Sequence, residues 1–163
     1  MLKANFITAQ EAAEKIQDGS ILCTIGMTLV SASESILKAI EKRFETVGHP
    51  ADITLVHSCG QSDRKDGIQH FAHEGMVTRI IGSHWGLQPR WMDMIAKNQV
   101  DAYCLPQGQI AQLYHSMACG LPGKMAKVGL GTFIDPRIEG GKMNERTKRL
   151  PDIVDIIKYK DEE

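Results

Sequence analysis

Ser20-Ile21-Leu22-Cys23-Thr24-Ile25-Gly26, then Ser31-Ala32-Ser33-Glu34, then Asp52-Ile53-Thr54-Leu55-Val56-His57 is the stretch that decides the fold. Its first run is short, apolar and rich in β-formers, the pattern of a strand buried on both faces of a sheet, and Gly26 stops it. Ser31 to Glu34 reads as a capping box. It opens a helix whose Ile36, Leu37, Ile40 and Phe44 recur at helical spacing, and Gly48-His49-Pro50 closes that helix. Asp52 to His57 then reads as a second strand. A helix that carries the chain from one strand to the next implies parallel pairing, because a tight hairpin can join only antiparallel strands.

The same rhythm extends outward in both directions. Upstream, Thr8-Ala9-Gln10-Glu11 is a capping box for a short helix with Ala12, Ala13 and Ile16 on its apolar face, ending near Asp18-Gly19. Downstream, Val77-Thr78-Arg79-Ile80-Ile81 before Gly82 reads as a third strand and Pro89 to Lys97, with Trp91, Met94 and Ile95, as a helix. Asp101-Ala102-Tyr103-Cys104-Leu105 reads as a fourth strand ending at Pro106. Gln107 to Cys119 carries Ile110, Leu113, Tyr114 and Met117 at helical spacing and stops at Gly120-Leu121-Pro122-Gly123. Residues 124–150 read as irregular and basic-tinged, and Ile153 to Tyr159 as a last strand. The expected class is α/β, an open, mostly parallel sheet flanked by helices, in a single domain over residues 1–163.

Composition narrows the function. With 163 residues, 42% apolar, 24% charged and a net charge of -1, the chain lacks the clustered Lys/Arg surplus of a nucleic-acid binder, so no nucleic-acid partner is expected. No apolar run approaches the ~18 residues of a membrane span. The start, MLKANFITAQEAAEK, turns polar too soon for a signal peptide, so a cytoplasmic protein without a membrane partner is expected. Cys23, Cys59, Cys104 and Cys119 form no C-x-x-C pair and read as small buried hydrophobes, neither disulfide framework nor zinc ribbon.

Ligands of open parallel sheets bind outside the carboxyl ends of the strands. Three loops answer to that place: Gly26-Met27-Thr28, Gly82-Ser83-His84-Trp85-Gly86 and Pro106-Gln107-Gly108. Any one of these glycines alone reads as a tight turn, and the three together point to a site. Gly129-Leu130-Gly131 lacks the third glycine of a dinucleotide fingerprint and precedes no helical pattern. His57 with Cys59, and His70 with His73, match no metal-ligand spacing, so no metal is expected: His57 reads as a strand end and the other two as neighbours on a partly exposed helix. No Gly-x-Ser-x-Gly elbow is present, and Glu74 and Glu139, each beside a glycine, read as solvated turn residues.

These residues carry a resemblance. Asp18 to Met27 is similar to the opening signature of family I coenzyme A transferases, with Ile25 and Met27 standing where Gly and Phe are usual. Leu105-Pro106-Gln107-Gly108, Ala118 to Gly123, Lys127-Val128-Gly129-Leu130-Gly131-Thr132-Phe133-Ile134-Asp135-Pro136-Arg137 and Glu139 to Asn144 resemble the propionate/acetate branch almost residue for residue. Ala72-His73-Glu74-Gly75 and Ile80 to Leu87 do the same. The resemblance implies the sugar-phosphate isomerase/CoA-transferase fold and transfer of CoA between a short-chain acyl-CoA and a free carboxylate through a glutamyl-CoA thioester, with CoA as substrate and no other cofactor. It places the catalytic glutamate in a second half that this chain does not contain, and it stops part-way through the family's first domain, so that the chain reads as an N-terminal, alpha-subunit-like portion, its domain incomplete at the C-terminal end and inactive by itself.

By the same resemblance, Gly26, Met27 and Thr28 face the acyl group or CoA as a substrate or oxyanion loop. Gln107 and Gly108 contact substrate or the catalytic loop of the other half, a helix cap being the alternative for Gln107. His84 and Trp85 line the cleft rim. The implied partners are an acyl-CoA, a short-chain carboxylate, the C-terminal half or other subunits, and further copies of the chain in a homo-oligomer. Two other readings stand beside this one: a sugar-phosphate-type ligand-binding or isomerase-like domain, since the fold is shared, and a non-catalytic structural subunit, since a terminal strand leaves an unpaired edge.

Overall fold

The computed structural model describes residues 4–160. Residues 1–3 and the closing Asp161-Glu162-Glu163 lie outside the described residues. Four parallel strands, β1 (Ile21–Thr24), β2 (Ile53–His57), β3 (Val77–Gly82) and β4 (Asp101–Cys104), form one sheet in the order β1-β2-β3-β4. The helices are α1 (Ala9–Glu14), α2 (Glu34–Val47), α3 (Pro89–Ala96), α4 (Gln107–Ala118) and α5 (Glu145–Lys148), with a 3-10 turn over Gly67–Phe71. The α/β class and the open parallel sheet are therefore those expected from the strand, helix, strand rhythm.

Local chemistry explains most boundaries. The Thr8 side chain accepts the Glu11 N–H at 3.2 Å and the Glu11 carboxylate accepts the Thr8 N–H at 2.7 Å, the reciprocal cap that opens α1. Pro89 sits in the first turn of α3, where its missing N–H costs nothing. The pleat places Leu55, Ile80 and Ala102 on one face, where they join Leu37 and Ile40 of α2, Met94 and Ile95 of α3, Ile68 and Phe71 in one core. At its centre the fully buried Trp91 donates its indole N–H to the Ile68 carbonyl at 2.9 Å.

The structure corrects several expectations. β1 is not buried on both faces. Its exposure alternates along the strand: Leu22 packs against the core while Ile21, on the other face, is 65% exposed, and among the described residues β1 is also the edge strand of the sheet, paired only with β2. The capping box expected from Ser31 does not form: Ser33, not Ser31, occupies the N-cap of α2, and no side-chain cap forms there. Glu34 is claimed instead by His70 Nε2 at 2.6 Å, the Gly67 N–H at 3.0 Å and Lys38 at 3.2 Å. Ile153 to Tyr159 forms no strand of the sheet. The outer edge of β4 is already filled: Cys104 N–H donates to Gly141 O at 2.7 Å, Met143 N–H to Ala102 O at 2.9 Å, and Ala102 N–H to the Thr147 hydroxyl at 2.7 Å.

Other side chains depart from their expected surroundings. Cys23 and Cys119 are exposed, while Cys59 and Cys104 are half-buried. His70 is buried in the 3-10 turn rather than placed on a partly exposed helix, and bonds Glu41 as well as Glu34, while His73 Nε2 meets Glu41 at 2.8 Å. Burial raises the Glu41 carboxyl, but the hydrogen bonds and charges of His73 and His70 outweigh it and leave the pKa lowered. Within residues 124–150 the buried Asp135 organises the chain, accepting N–H groups of Gly131 and Arg137 at 2.9 Å and pairing with the Arg137 guanidinium at 2.8 Å. The Arg137 guanidinium, with those N–H groups, holds this carboxyl well below the usual range.

Candidate functional site at the carboxyl ends of the strands

Because all four strands are parallel, residues 24–28, 57–62, 82–88 and 104–108 emerge at one end of the sheet. Among these segments there is no Lys, Arg, Asp or Glu. The only side chains there able to carry a positive charge are His57 and His84.

The expected substrate loop is joined directly to its neighbour. Thr28 N–H donates to the Gly60 carbonyl at 2.9 Å, and Met27 and Val30 exchange backbone hydrogen bonds at 3.1 and 2.9 Å, closing a tight turn with Thr28 in the left-handed region. Gly26 is held by space as well: a Cβ there would stand 3.1 Å from the Val30 carbonyl. Met27 is 61% exposed and offers an apolar wall above the turn. Gln61, itself buried, donates its amide to the Thr24 carbonyl at 2.7 Å.

Two imidazoles shape the loops after β2 and β3. His57 is fully buried, its Nδ1 bonds the Cys59 carbonyl at 2.6 Å, and its ring lies edge-on to Trp85 with centroids 5.0 Å apart. Burial pushes its pKa down to about 4, so the ring is neutral, with Nδ1–H donating and the Nε2 lone pair turned toward Gly82. A Cβ at Gly82 would lie 2.1 Å from that Nε2. His84 is exposed and accepts the Gly86 N–H at Nδ1, 3.3 Å away. Its ring lies against Gly60 and Gly86, where Cβ atoms would stand 3.0 and 2.8 Å from it. The Gln88 amide, in the orientation that satisfies its neighbours, donates to the His84 and Trp85 carbonyls at 2.8 and 3.1 Å and accepts the Gln61 N–H at 3.1 Å.

Three of the four buried, unpartnered side-chain polar atoms among the described residues gather at this end: Thr24 Oγ1, His57 Nε2 and Trp85 Nε1. Such atoms are uncommon in folded interiors and concentrate where a fold is shaped for something besides stability. Trp85 itself is 8% exposed, so it supports the rim from beneath rather than lining it as expected.

Gln107 and Gly108 are exposed in the first turn of α4, with Pro106 at the N-cap, so the cap alternative for Gln107 does not hold. Among the described residues no hydrogen bond ties either residue to the Gly26 loop; α4 reaches β1 and β2 through Tyr114, whose hydroxyl lies 3.3 and 3.2 Å from the Thr24 and Val56 carbonyls. Burial raises the Tyr114 pKa far above its ordinary value, so the hydroxyl stays a donor. Carboxylate and imidazole atoms do converge at Glu34, Asp66 and His70, and at Glu41, Glu45 and His73. Lys38 and Arg90 already face these carboxylates at 3.1 to 3.6 Å, so the cluster serves as an ionic clasp between α2 and the 3-10 turn. Sequence reasoning passed over Gly60, Gln61 and Gln88, although the spacing Gly82-x-His84-x-Gly86 hinted at a ring needing small neighbours.

The chain matches the Coenzyme A transferase family over residues 6–155. It is 40% identical over 161 residues to the caffeate CoA-transferase of Acetobacterium woodii, an alignment of 98% of this chain and 30% of that protein. It is 22% identical over 134 residues to the acetate CoA-transferase subunit alpha of Escherichia coli K12, covering 82% of this chain and 58% of that subunit. The crystal structure of the acyl-CoA transferase YdiF apoenzyme from Escherichia coli O157:H7 superposes with a TM-score of 0.89 at 32% identity, over 95% of this chain and 30% of that one. The chain thus spans about a third of the length of the longer relatives.

Proposed function

This chain belongs to the coenzyme A transferase family, and from that premise we propose that it is the N-terminal part of an enzyme that moves CoA between a short-chain acyl-CoA and a free carboxylate. The observation that carries the reading is the uncharged strand-end rim, with the Gly26-Met27-Thr28 turn bonded to Gly60, lying within a fold that aligns over nearly the whole chain with an acyl-CoA transferase. The catalytic glutamate belongs to the remainder of the enzyme, whether that is a downstream half of the same polypeptide or a separate subunit. CoA enters as substrate, and a cytoplasmic homo-oligomer completes the reading.

The chemistry asks for such a rim. The glutamate carboxylate attacks the thioester carbonyl and CoA thiolate leaves, giving a mixed anhydride. The thiolate then attacks the glutamyl carbonyl, forming glutamyl-CoA and releasing the first carboxylate. The acceptor carboxylate reverses both steps. A carboxylate is a weak nucleophile in water, so the loops must orient it, exclude water and meet the oxyanion with N–H donors. Gly26, Met27 and Thr28 supply a turn and an apolar wall for the acyl group, and Gln107 and Gly108 meet substrate or the catalytic loop from the start of α4. His84 stands at the rim with Trp85 beneath it. The open edge of β1 favours a second reading, a subunit that completes a partner's sheet.

CoA transfer from acetyl-CoA or propionyl-CoA to a second short carboxylate, assayed for this chain alone and with its downstream half, tests the proposal. Activity only in the combination is expected; activity in the chain alone would move the nucleophile to this chain, and silence in both would favour the structural subunit. In the complete enzyme, Gln107→Ala should lower turnover by about tenfold with an unchanged melting temperature. Unchanged turnover would remove Gln107 from the site.

A further inference from the structure

We propose that His84 is the specificity-determining side chain of this rim, donating a hydrogen bond from Nε2 to the carboxylate of the acyl acceptor. The inference rests on the CoA-transferase reading and deepens it.

Three observations converge on this residue. The rim segments hold no Lys, Arg, Asp or Glu, so an anion arriving there finds only two imidazoles among the side chains able to carry positive charge. His57 is withdrawn from that task, since it is fully buried with Nδ1 committed to the Cys59 carbonyl and Nε2 pressed toward Gly82. His84 is left, exposed, and among the described residues nothing bonds its Nε2.

The ring is also prepared for one task. With Nδ1 accepting the Gly86 N–H at 3.3 Å, Nε2 is the ring nitrogen left to carry a hydrogen and present a donor. Gly60 and Gly86 lie close on two sides of the ring, and the Gln88 amide holds the His84 carbonyl at 2.8 Å. A side chain held in this way loses little freedom when it binds. Gly60 in turn fastens the turn bearing the exposed Met27, so that the donor and an apolar wall belong to one connected loop cluster. One ring donor amid uncharged neighbours suits a small monoanion with an apolar tail; a diphosphate is met by several Lys or Arg side chains, and these rim segments hold neither.

The test uses the complete enzyme, with steady-state CoA transfer measured while propionate and acetyl-CoA are varied separately. His84→Ala is expected to raise KM for propionate about tenfold or more, as for loss of a hydrogen bond to a charged group, and to leave KM for acetyl-CoA within about twofold. His84→Gln, which keeps an N–H donor, should recover much of the loss. Equal rises in both KM values, or no rise in either, would overturn the proposal. A second readout does not depend on the variants folding: in the unmodified enzyme labelled with nitrogen-15 histidine, saturating propionate should move the His84 Nε2 resonance, and a stationary resonance would overturn the assignment. An unmodified enzyme that transfers no CoA would bring down the transferase reading and this inference together, whereas an active enzyme with an unmoved KM ratio removes His84 alone.

Discussion

At the scale of single residues, the sheet end is governed by what fits beside an imidazole. Gly82→Ala would drive a methyl group into His57 Nε2, where the available space is 2.1 Å, and is expected to cost about 1–3 kcal/mol in urea denaturation. Adding His57→Ala should return most of that loss, and simple additivity of the two losses would show that the clash is not the cause. Asp135 acts through charge. Its folded pKa is lowered, so its contribution is present above the usual aspartate range and fades as pH falls through the folded value. Asp135→Asn should therefore destabilise the protein at about pH 7, with the gap from the unmodified protein narrowing near pH 3. A gap that is constant with pH would point to lost packing instead.

At the scale of elements, the clasp of Glu34, Glu41, His70 and His73 holds α2 against the 3-10 turn Gly67–Phe71. Glu41 has a lowered pKa, so its share of stability exists above the ordinary glutamate range and is lost in acid. Glu41→Gln should weaken the protein by about 2 kcal/mol at neutral pH and speed amide exchange of Ile68 and Ala72; exchange that stays slow would place the restraint elsewhere. None of this was visible in the sequence, since Glu34 and His70 are 36 residues apart and only the fold brings them together. The elements themselves were legible because α2, α3 and α4 carry apolar residues at helical spacing and β2 and β3 are short apolar runs with clear stops. β1 misled because an apolar run looks alike whether one of its faces is covered or both. Ile153 to Tyr159 misled because apolar residues in a row say nothing about whether a sheet edge is free to receive them. Of the site, the three loops were readable from glycines after strands, while the burial of Trp85 and the neutral state of His57 depended on contacts across the sheet.

At the scale of the whole molecule, the two edges of the sheet are unequal. β4 is closed by Gly141, Met143 and Thr147, whereas among the described residues no strand pairs with the outer side of β1, where Ile21 is exposed. Ile21→Lys should lower self-association of the chain in sedimentation while changing its stability by less than about 0.5 kcal/mol; unaltered association would locate the contact on another surface. The inequality also dictates symmetry. An assembly that grew by laying β1 of one copy on β4 of the next would be head-to-tail and without end, and the plugged β4 edge forbids that step. Copies that meet through their sheets must meet β1 to β1, about a two-fold axis, and the pair leaves no further β1 edge to recruit a third. The knot around Thr147 thus makes edge pairing of this chain self-limiting: pairing through β1 can join two copies and no more.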